Sequence, residues 1–223
     1  MILGSSASST TSANSTMLRS PDAVLDLVPT DNNNITSFEH KLVIPRNSHT
    51  AVLYKNNMVI FGGVLADGKC TEQVSILNLE TNDWSVLECR GDVPKPRKQH
   101  TACIHNDCMF VFGGCGEEKE IFNDLYALNL KEAPYEWTLL HPNIFHVSPE
   151  VVPLPRCAHS ATVIGDEMFV FGGFNVIIDK QVRLMVYDDL WSYNIRVKRW
   201  TKLDVKAPAS RCEHAATLCN NSM

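Results

Sequence analysis

The run His100-x2-Cys103-x-His105-x2-Cys108 places four potential metal ligands within a short stretch of chain. Zinc needs four donors converging at about 2.0–2.3 Å. Here the ligands span what reads as a tight hairpin, and a strand sends neighbouring side chains to opposite faces. The pattern therefore predicts no zinc site. Four histidines, His49, His100, His159 and His214, each follow an arginine by three residues: Arg46, Arg97, Arg156 and Arg211. One spacing in four copies describes one repeated packing role rather than a catalytic or metal site. Asp188-Asp189 and Glu117-Glu118 are adjacent in sequence and fall in different repeats, so neither spacing suits an acid/base pair. No glycine-rich phosphate loop opens a helix, and there is no His-Glu-x-x-His and no nucleophile elbow. The expectation is a chain with no catalytic residue, no metal and no cofactor.

The elements that must hold these residues repeat about every 50 positions. The central copy runs Arg97, His100, Met109-Phe-Val-Phe-Gly113-Gly114, Asp124-Leu125-Tyr126 and Trp137. The upstream copy has Arg46, His49, Met58 to Phe61, Gly62-Gly63 and Trp84. The downstream copy has Arg156, His159, Met168 to Phe171, Gly172-Gly173, Asp189-Leu190-Trp191 and Trp200. A fourth opens with Arg211 and His214. Such a period marks stacked supersecondary units. Within each, two short apolar runs flank a tight turn (55–57, 105–107, 165–167). The second run is apolar on both faces and predicts a strand buried on both sides. The glycine pair ends it where the chain needs torsions that a β-carbon resists. An alternating third strand and a tryptophan-led fourth complete the unit. Four antiparallel strands per repeat make one propeller blade.

The order Arg-x-x-His, apolar strand, Gly-Gly, Asp-Leu-aromatic and Trp resembles the Kelch family of β-propellers. The resemblance covers roughly residues 38–218. The fold class expected is all-β, a Kelch-type propeller with three full four-stranded blades and partial blades in an incomplete ring. Blades are placed at about 46–87, 97–140 and 156–203, with a partial one at 211–223. The first copy departs from the pattern, having Gln73-Val74-Ser75 where the others have Asp-Leu-aromatic. That blade is expected to lack a hydrogen bond or aromatic contact that the others make. The repeat positions His49, Gly62, Gly63, Trp84, His100, Gly113, Gly114, Trp137, His159, Gly172, Gly173 and Trp200 are read as structural.

Composition narrows the setting. The net charge of −5 is mild and no basic run is present, so no nucleic-acid partner is expected. No run of about 18 apolar residues suggests a membrane span. The first residues lack a signal-peptide pattern, so the eight cysteines read as reduced thiols in a cytoplasmic setting, with the nucleus also open. Residues 1–37 are rich in Ser, Thr and Asn and read as disordered. Residues 38–44 read as a lone final-type strand, with Phe38 at the tryptophan position. Three blades leave apolar faces uncovered, and both ends predict a longer natural polypeptide or, for the chain as given, self-association.

Connectivity places the long links 64–73, 88–96, 115–122, 141–155 and 174–188 on one face of the propeller. Long loops on a rigid scaffold are where recognition concentrates. By resemblance, Kelch propellers present such a face to peptides or folded partners. Candidate partner contacts are Arg97, Phe145, His146, Ile177, Ile178, Lys180 and Arg183, although these loops could equally pack on one another. Arg97 stands at the blade mouth, where it either braces the strand or meets a ligand. The resulting expectation is a non-catalytic protein-interaction scaffold. The alternative is the N-terminal Kelch regulatory domain of a larger enzyme, such as a Ser/Thr phosphatase. Copper-oxidase chemistry of the galactose-oxidase kind would need a Cys–Tyr pair and converging histidines, which do not assemble here.

Overall fold

A computed structural model describes residues 43–118, 120–144, 151–178, 181–205 and 208–218, all within the unit His40–Met223. The expected disordered segment 1–37 lies outside them. Of the expected strand 38–44 only Val43 and Ile44 are described, and neither is in a strand.

Strand β1 (Arg46–Asn47) leads into the hairpin of β2 (Thr50–Tyr54) and β3 (Asn57–Phe61). Beyond Gly62-Gly63, β4 (Val64–Leu65) folds back antiparallel onto β1. The first blade is completed by β5 (Val74–Asn78) and β6 (Trp84–Leu87), in the order β2-β3-β5-β6. After one residue the chain enters β7 (Cys89–Gly91). The second blade follows with β8 (Thr101–His105), β9 (Cys108–Phe112), β10 (Leu125–Asn129) and β11 (Tyr135–His141), and β7 adds to the edge of β11 in parallel. That strand, inside a stretch read as a loop from sequence, makes the second sheet five-stranded. It also covers an edge whose backbone groups would otherwise face solvent unpaired. The third blade holds β12 (Ser160–Ile164) and β13 (Glu167–Phe171). A separate hairpin of β14 (Phe174–Ile178) and β15 (Val182–Val186) then intervenes before β16 (Leu190–Asn194) and β17 (Arg199–Leu203) close the blade.

The doubly apolar second strand has a direct cause. Met109 and Val111 of β9 join the apolar layer shared with the first blade, beside Val59, Phe61 and Val74. Phe110 and Phe112, on the other face of the same strand, join the layer shared with the third, beside Met168, Val170 and Trp191. The two-residue turns at the opposite end of the blades each open on a positive-φ residue, Lys55 (53°), Asn106 (53°) and Gly165 (59°), as tight hairpins require.

Neighbouring blades meet through one repeated joint. The second glycine of each pair donates its N–H to the next blade's arginine carbonyl: Gly63 to Arg97 (2.8 Å), Gly114 to Arg156 (2.9 Å) and Gly173 to Arg211 (2.8 Å). A Cβ on Gly113 would lie 2.7 Å from Arg156 O and 3.0 Å from the His159 ring, so the first glycine leaves the space those groups fill. Each histidine Nε2 meets a hydroxyl on the preceding blade: His100 with Thr50 (2.8 Å), His159 with Thr101 (2.7 Å) and His214 with Ser160 (2.8 Å). The phenylalanine before the glycines sits between that histidine and the next blade's tryptophan. Phe61 contacts His100 and Trp137 at 5.1 Å each, and Phe112 contacts His159 at 5.3 Å and Trp200 at 5.0 Å. Trp84 is 43% exposed against 1% for Trp137, and His49 is exposed too. No blade precedes theirs among the described residues, so that phenylalanine has no counterpart for them.

This joint predicts acid sensitivity. Burial, reinforced by the Arg97 guanidinium, pushes the His100 imidazole down to about 3. The same two causes, with Arg156 as the cation, hold His159 well below its ordinary value. The buried Nδ1 of His159 has no hydrogen-bond partner, so a charged ring would carry an unsatisfied N–H into the core. Both rings are neutral when folded, whereas unfolded histidines titrate near pH 6.5. A depressed folded value means the stabilisation is complete above about pH 6.5 and lost as pH falls below it. Urea unfolding should show about 2–3 kcal/mol less stability at pH 5.5 than at pH 7.5, from the two histidines together. His159→Gln should remove roughly half of that dependence; a stability that is flat over this window would contradict the assignment.

Candidate functional site

At the start of each blade an arginine could either face a ligand or brace the sheet, and the geometry decides for bracing. Arg97 is fully buried. Its Nη1 donates to Asp124 Oδ1 at 2.6 Å and to Gly113 O at 2.9 Å, Nη2 donates to Asp124 Oδ2 at 3.1 Å, and Nε donates to Lys95 O at 3.0 Å. The guanidinium also lies 4.3 Å over the Phe122 ring. No donor is left to face solvent, so Arg97 is withdrawn as a partner contact. Arg156 repeats the arrangement with Asp189 at 2.7 and 3.0 Å, Gly172 O at 3.0 Å and the Tyr187 ring at 4.4 Å. Burial alone would push the Asp189 carboxyl up; Arg156 and the Trp191 N–H outweigh it and hold it below the usual carboxylate range. The first blade differs where its sequence differs. Arg46 donates to the side chain and the backbone carbonyl of Gln73, and Thr71 stands where Phe122 and Tyr187 lie over the other arginines. The aromatic two residues before each aspartate was a signal available in the sequence and overlooked.

The four ligand-like residues separate. His100 is held in the joint, Cys103 lies in the apolar layer beside Phe110, and His105 Nε2 meets Asp166 Oδ1 at 3.1 Å on the next blade. Cys108 packs against the edge of that layer. Among the described residues no cluster of three or more His, Cys, Asp or Glu is placed to hold a metal.

On the face of the long links, the joint supplies rigid roots. Asn123 is buried and ties both ends of the segment after β11. Its Nδ2 donates to Ile144 O (3.1 Å) and Pro153 O (3.0 Å), while its Oδ1 accepts from Ile144 N (2.9 Å). Phe145 and His146 lie outside the described residues, as does Lys180. Cys70 N donates to Glu117 Oε1 at 2.9 Å, linking the first blade's link to the second's. Residues 174–188, read as a loop from sequence, instead contain the β14–β15 hairpin, paired from Phe174↔Val186 to Ile178↔Val182. Strand alternation gives the hairpin two working faces. Phe174, Val176, Ile178 and Val182 line a cleft of about 350 Å³ with Cys115 and Ile121. Asn175, Ile177, Met185 and Tyr187 line another of about 390 Å³ with Glu120 and Leu154. Arg183 is exposed. Ile178 is 59% exposed and Val182 73%, a concentration of apolar surface that marks contact sites.

A family model described as the KLHDC2/KLHL20/DRC7 Kelch-repeats domain matches residues 48–223. The chain belongs to the Kelch-repeat family. Kelch repeats generally serve as protein–protein interaction modules. The chain is similar to the host cell factor of Drosophila melanogaster, 34% identical over 151 residues, which is 63% of this chain and 10% of that protein. It is also similar to the host cell factor homolog hcf-1 of Caenorhabditis elegans, 32% identical over 183 residues, 78% of this chain and 23% of that one. This Kelch chain thus spans less than a quarter of either relative. The solved structure of YjhT aligns with a TM-score of 0.57 at 17% identity, over 75% of this chain and 55% of that one, a likeness of fold. Among the described residues no helix is long and apolar enough to cross a membrane.

The two kinds of arginine bracket should respond differently to truncation. Asp124→Ala leaves the Arg97 charge buried and uncompensated, and should cost about 3–5 kcal/mol in chemical denaturation. Gln73→Ala removes a neutral partner from the half-buried Arg46 and should cost about 1–2 kcal/mol. Equal losses would mean that the brackets are equivalent despite their different chemistry.

Proposed function

We propose that this Kelch chain is a non-catalytic interaction module that binds a protein or peptide partner on the face carrying the long links, with the β14–β15 hairpin as its anchor. The observation that carries this reading is the exposed apolar hairpin flanked by two clefts and rooted in the third blade's joint. Ile177 lines one cleft and Ile178 the other, so a partner crossing the hairpin would meet both. Arg183 adds a donor of the type that interfaces favour. Phe145, His146 and Lys180 are further proposed contacts, on their sequence positions in the same class of link. Described cysteines are all free thiols, which supports a cytoplasmic or nuclear setting.

The test compares partner capture by the purified chain with that of Ile178→Asp, Phe145→Ala and Arg183→Ala variants. Circular dichroism and thermal unfolding would confirm that each still folds. The expected result is loss of a specific set of partners in the three variants. Glu80→Ala, in a short turn on the opposite face, should leave that set intact. Capture unchanged in all three folded variants would overturn the reading.

A further inference from the structure

The residue after each glycine pair bridges back to the residue after its own blade's arginine: Val64 to Asn47, Cys115 to Lys98 and Phe174 to Cys157. Across the joint, Gly114 N donates to Arg156 O at 2.9 Å. Cys115 follows that glycine and Cys157 follows that arginine, so the joint brings thiols of the second and third blades together. They form a small apolar cluster with Ile121, against which Phe174 and Val176 pack.

The Cys115 thiol donates to Gln99 Oε1 and the Cys157 thiol to Phe174 O, at 3.6 Å each. The neighbouring Cys157 thiol lowers the Cys115 thiol below its ordinary value against the opposing effect of burial, and the Lys98 ammonium acts in the same sense. The Cys115 thiol beside it, followed by burial, raises Cys157. Cys115, Cys157 and Lys98 all line the 350 Å³ cleft, and Cys115 keeps 9% exposure against 1% for Cys157, so a small reactant in the cleft finds more of Cys115 open. Burial pushes Cys103 up to about 12 and Cys89 up to about 11, as expected of inert packing thiols.

We propose that Cys115 and Cys157 form a dithiol modification site, in which hydrogen peroxide oxidises Cys115 and Cys157 resolves the product as a disulfide stapling two blades. The Cys115 thiolate attacks one peroxide oxygen and the O–O bond breaks. The departing hydroxide takes a proton and leaves as water, giving Cys115 sulfenic acid. The Cys157 sulfur then attacks the Cys115 sulfur and the S–O bond breaks. The released hydroxide takes the Cys157 proton and leaves as a second water. Two thiols thus supply the two electrons that reduce one peroxide, and a dithiol reductant reverses the change. The site needs no protein partner and stands apart from the binding reading above.

The experiment treats the reduced chain of residues 1–223 with hydrogen peroxide, traps remaining thiols with N-ethylmaleimide, and maps them by peptide mass spectrometry. The first product should be about 2 Da lighter, with the Cys115 and Cys157 peptides joined and restored by dithiothreitol. Cys115 should be lost about tenfold faster than Cys108 or Cys212. In Cys157→Ser the oxidation should stop at a sulfenic acid that dimedone captures on Cys115. In Cys115→Ser, Cys157 should stay a thiol. Oxidation of Cys115 no faster than Cys108, or a first disulfide between other cysteines, would overturn the proposal on the wild-type chain alone.

Discussion

Everything in this propeller hangs on one constraint: each blade must be able to receive the start of the next. An arginine carbonyl, a histidine ring and a phenylalanine meet at the glycine pair, and only a residue without a β-carbon leaves room for them. The backbone shows how strict the arrangement is. Ser48, Gln99, Ala158 and Glu213 all take positive φ values between 52° and 56°. Their amides and carbonyls form one relay, Gln99 to Ser48 (3.0 Å), Ala158 to Gln99 (2.9 Å) and Glu213 to Ala158 (2.9 Å). Non-glycine residues rarely adopt such torsions, so they persist here because the surrounding bonds over-determine them. The side chains at these positions differ in every copy while the conformation stays the same, so it is the backbone relay that sets the torsion.

That distinction explains what was legible in the sequence. Blade number among the described residues and the strand pattern could be read, because each depends on residue types recurring in phase; the histidines follow the pattern at His100, His159 and His214, whereas His49 is exposed. Gly113-Gly114 and the Met109–Phe112 run carry their geometry in their composition. The departure at Gln73 was legible too, since a neutral amide offers a guanidinium one acceptor oxygen and no charge where a carboxylate offers two oxygens and a negative charge. What escaped reading depends on contacts with no fixed spacing. Strand β7 exists because Cys89 to Gly91 meet Tyr135 to Trp137 on the next blade. The turn of the chain there requires Gly91 at φ 83°, with a hypothetical Cβ 2.4 Å from Trp137 O. The β14–β15 hairpin belongs to one copy only, so no comparison between repeats announces it. The choice between bracing and binding for Arg97 was likewise invisible, because both need the same residue at the same place.

On this face the residues that hold the joint also begin the long links. The residues that follow the glycine pairs, Cys115 and Phe174, are the first residues of the links and also the floor of the cleft. A link can therefore change in length and chemistry only beyond its first residue, which stays in the bridge to Lys98 or Cys157. The hairpin obeys this rule: Phe174 and Val186 close its base, Tyr187 N donates to Gly173 O at 2.9 Å, and the exposed Ile178 and Val182 pair at its far end. Rigid roots lower the ordering cost that a flexible loop would bring to binding.

The joint does not require its incoming segment to lie in a strand. Arg211 to Ala215 lie in no strand, yet this short piece makes the same contacts on the third blade as its counterparts. Its arginine carbonyl accepts from Gly173, its histidine meets Ser160, and the Phe171 ring lies 5.4 Å from the His214 ring. His214 is lowered by the same causes as His100, burial first and then its own arginine, Arg211, although it is less enclosed. The contacts that define the ring thus belong to the preceding blade's glycine pair and hydroxyl rather than to the sheet that follows. Each blade carries a socket for the next blade's arginine and histidine, built from its own glycine pair, phenylalanine and hydroxyl.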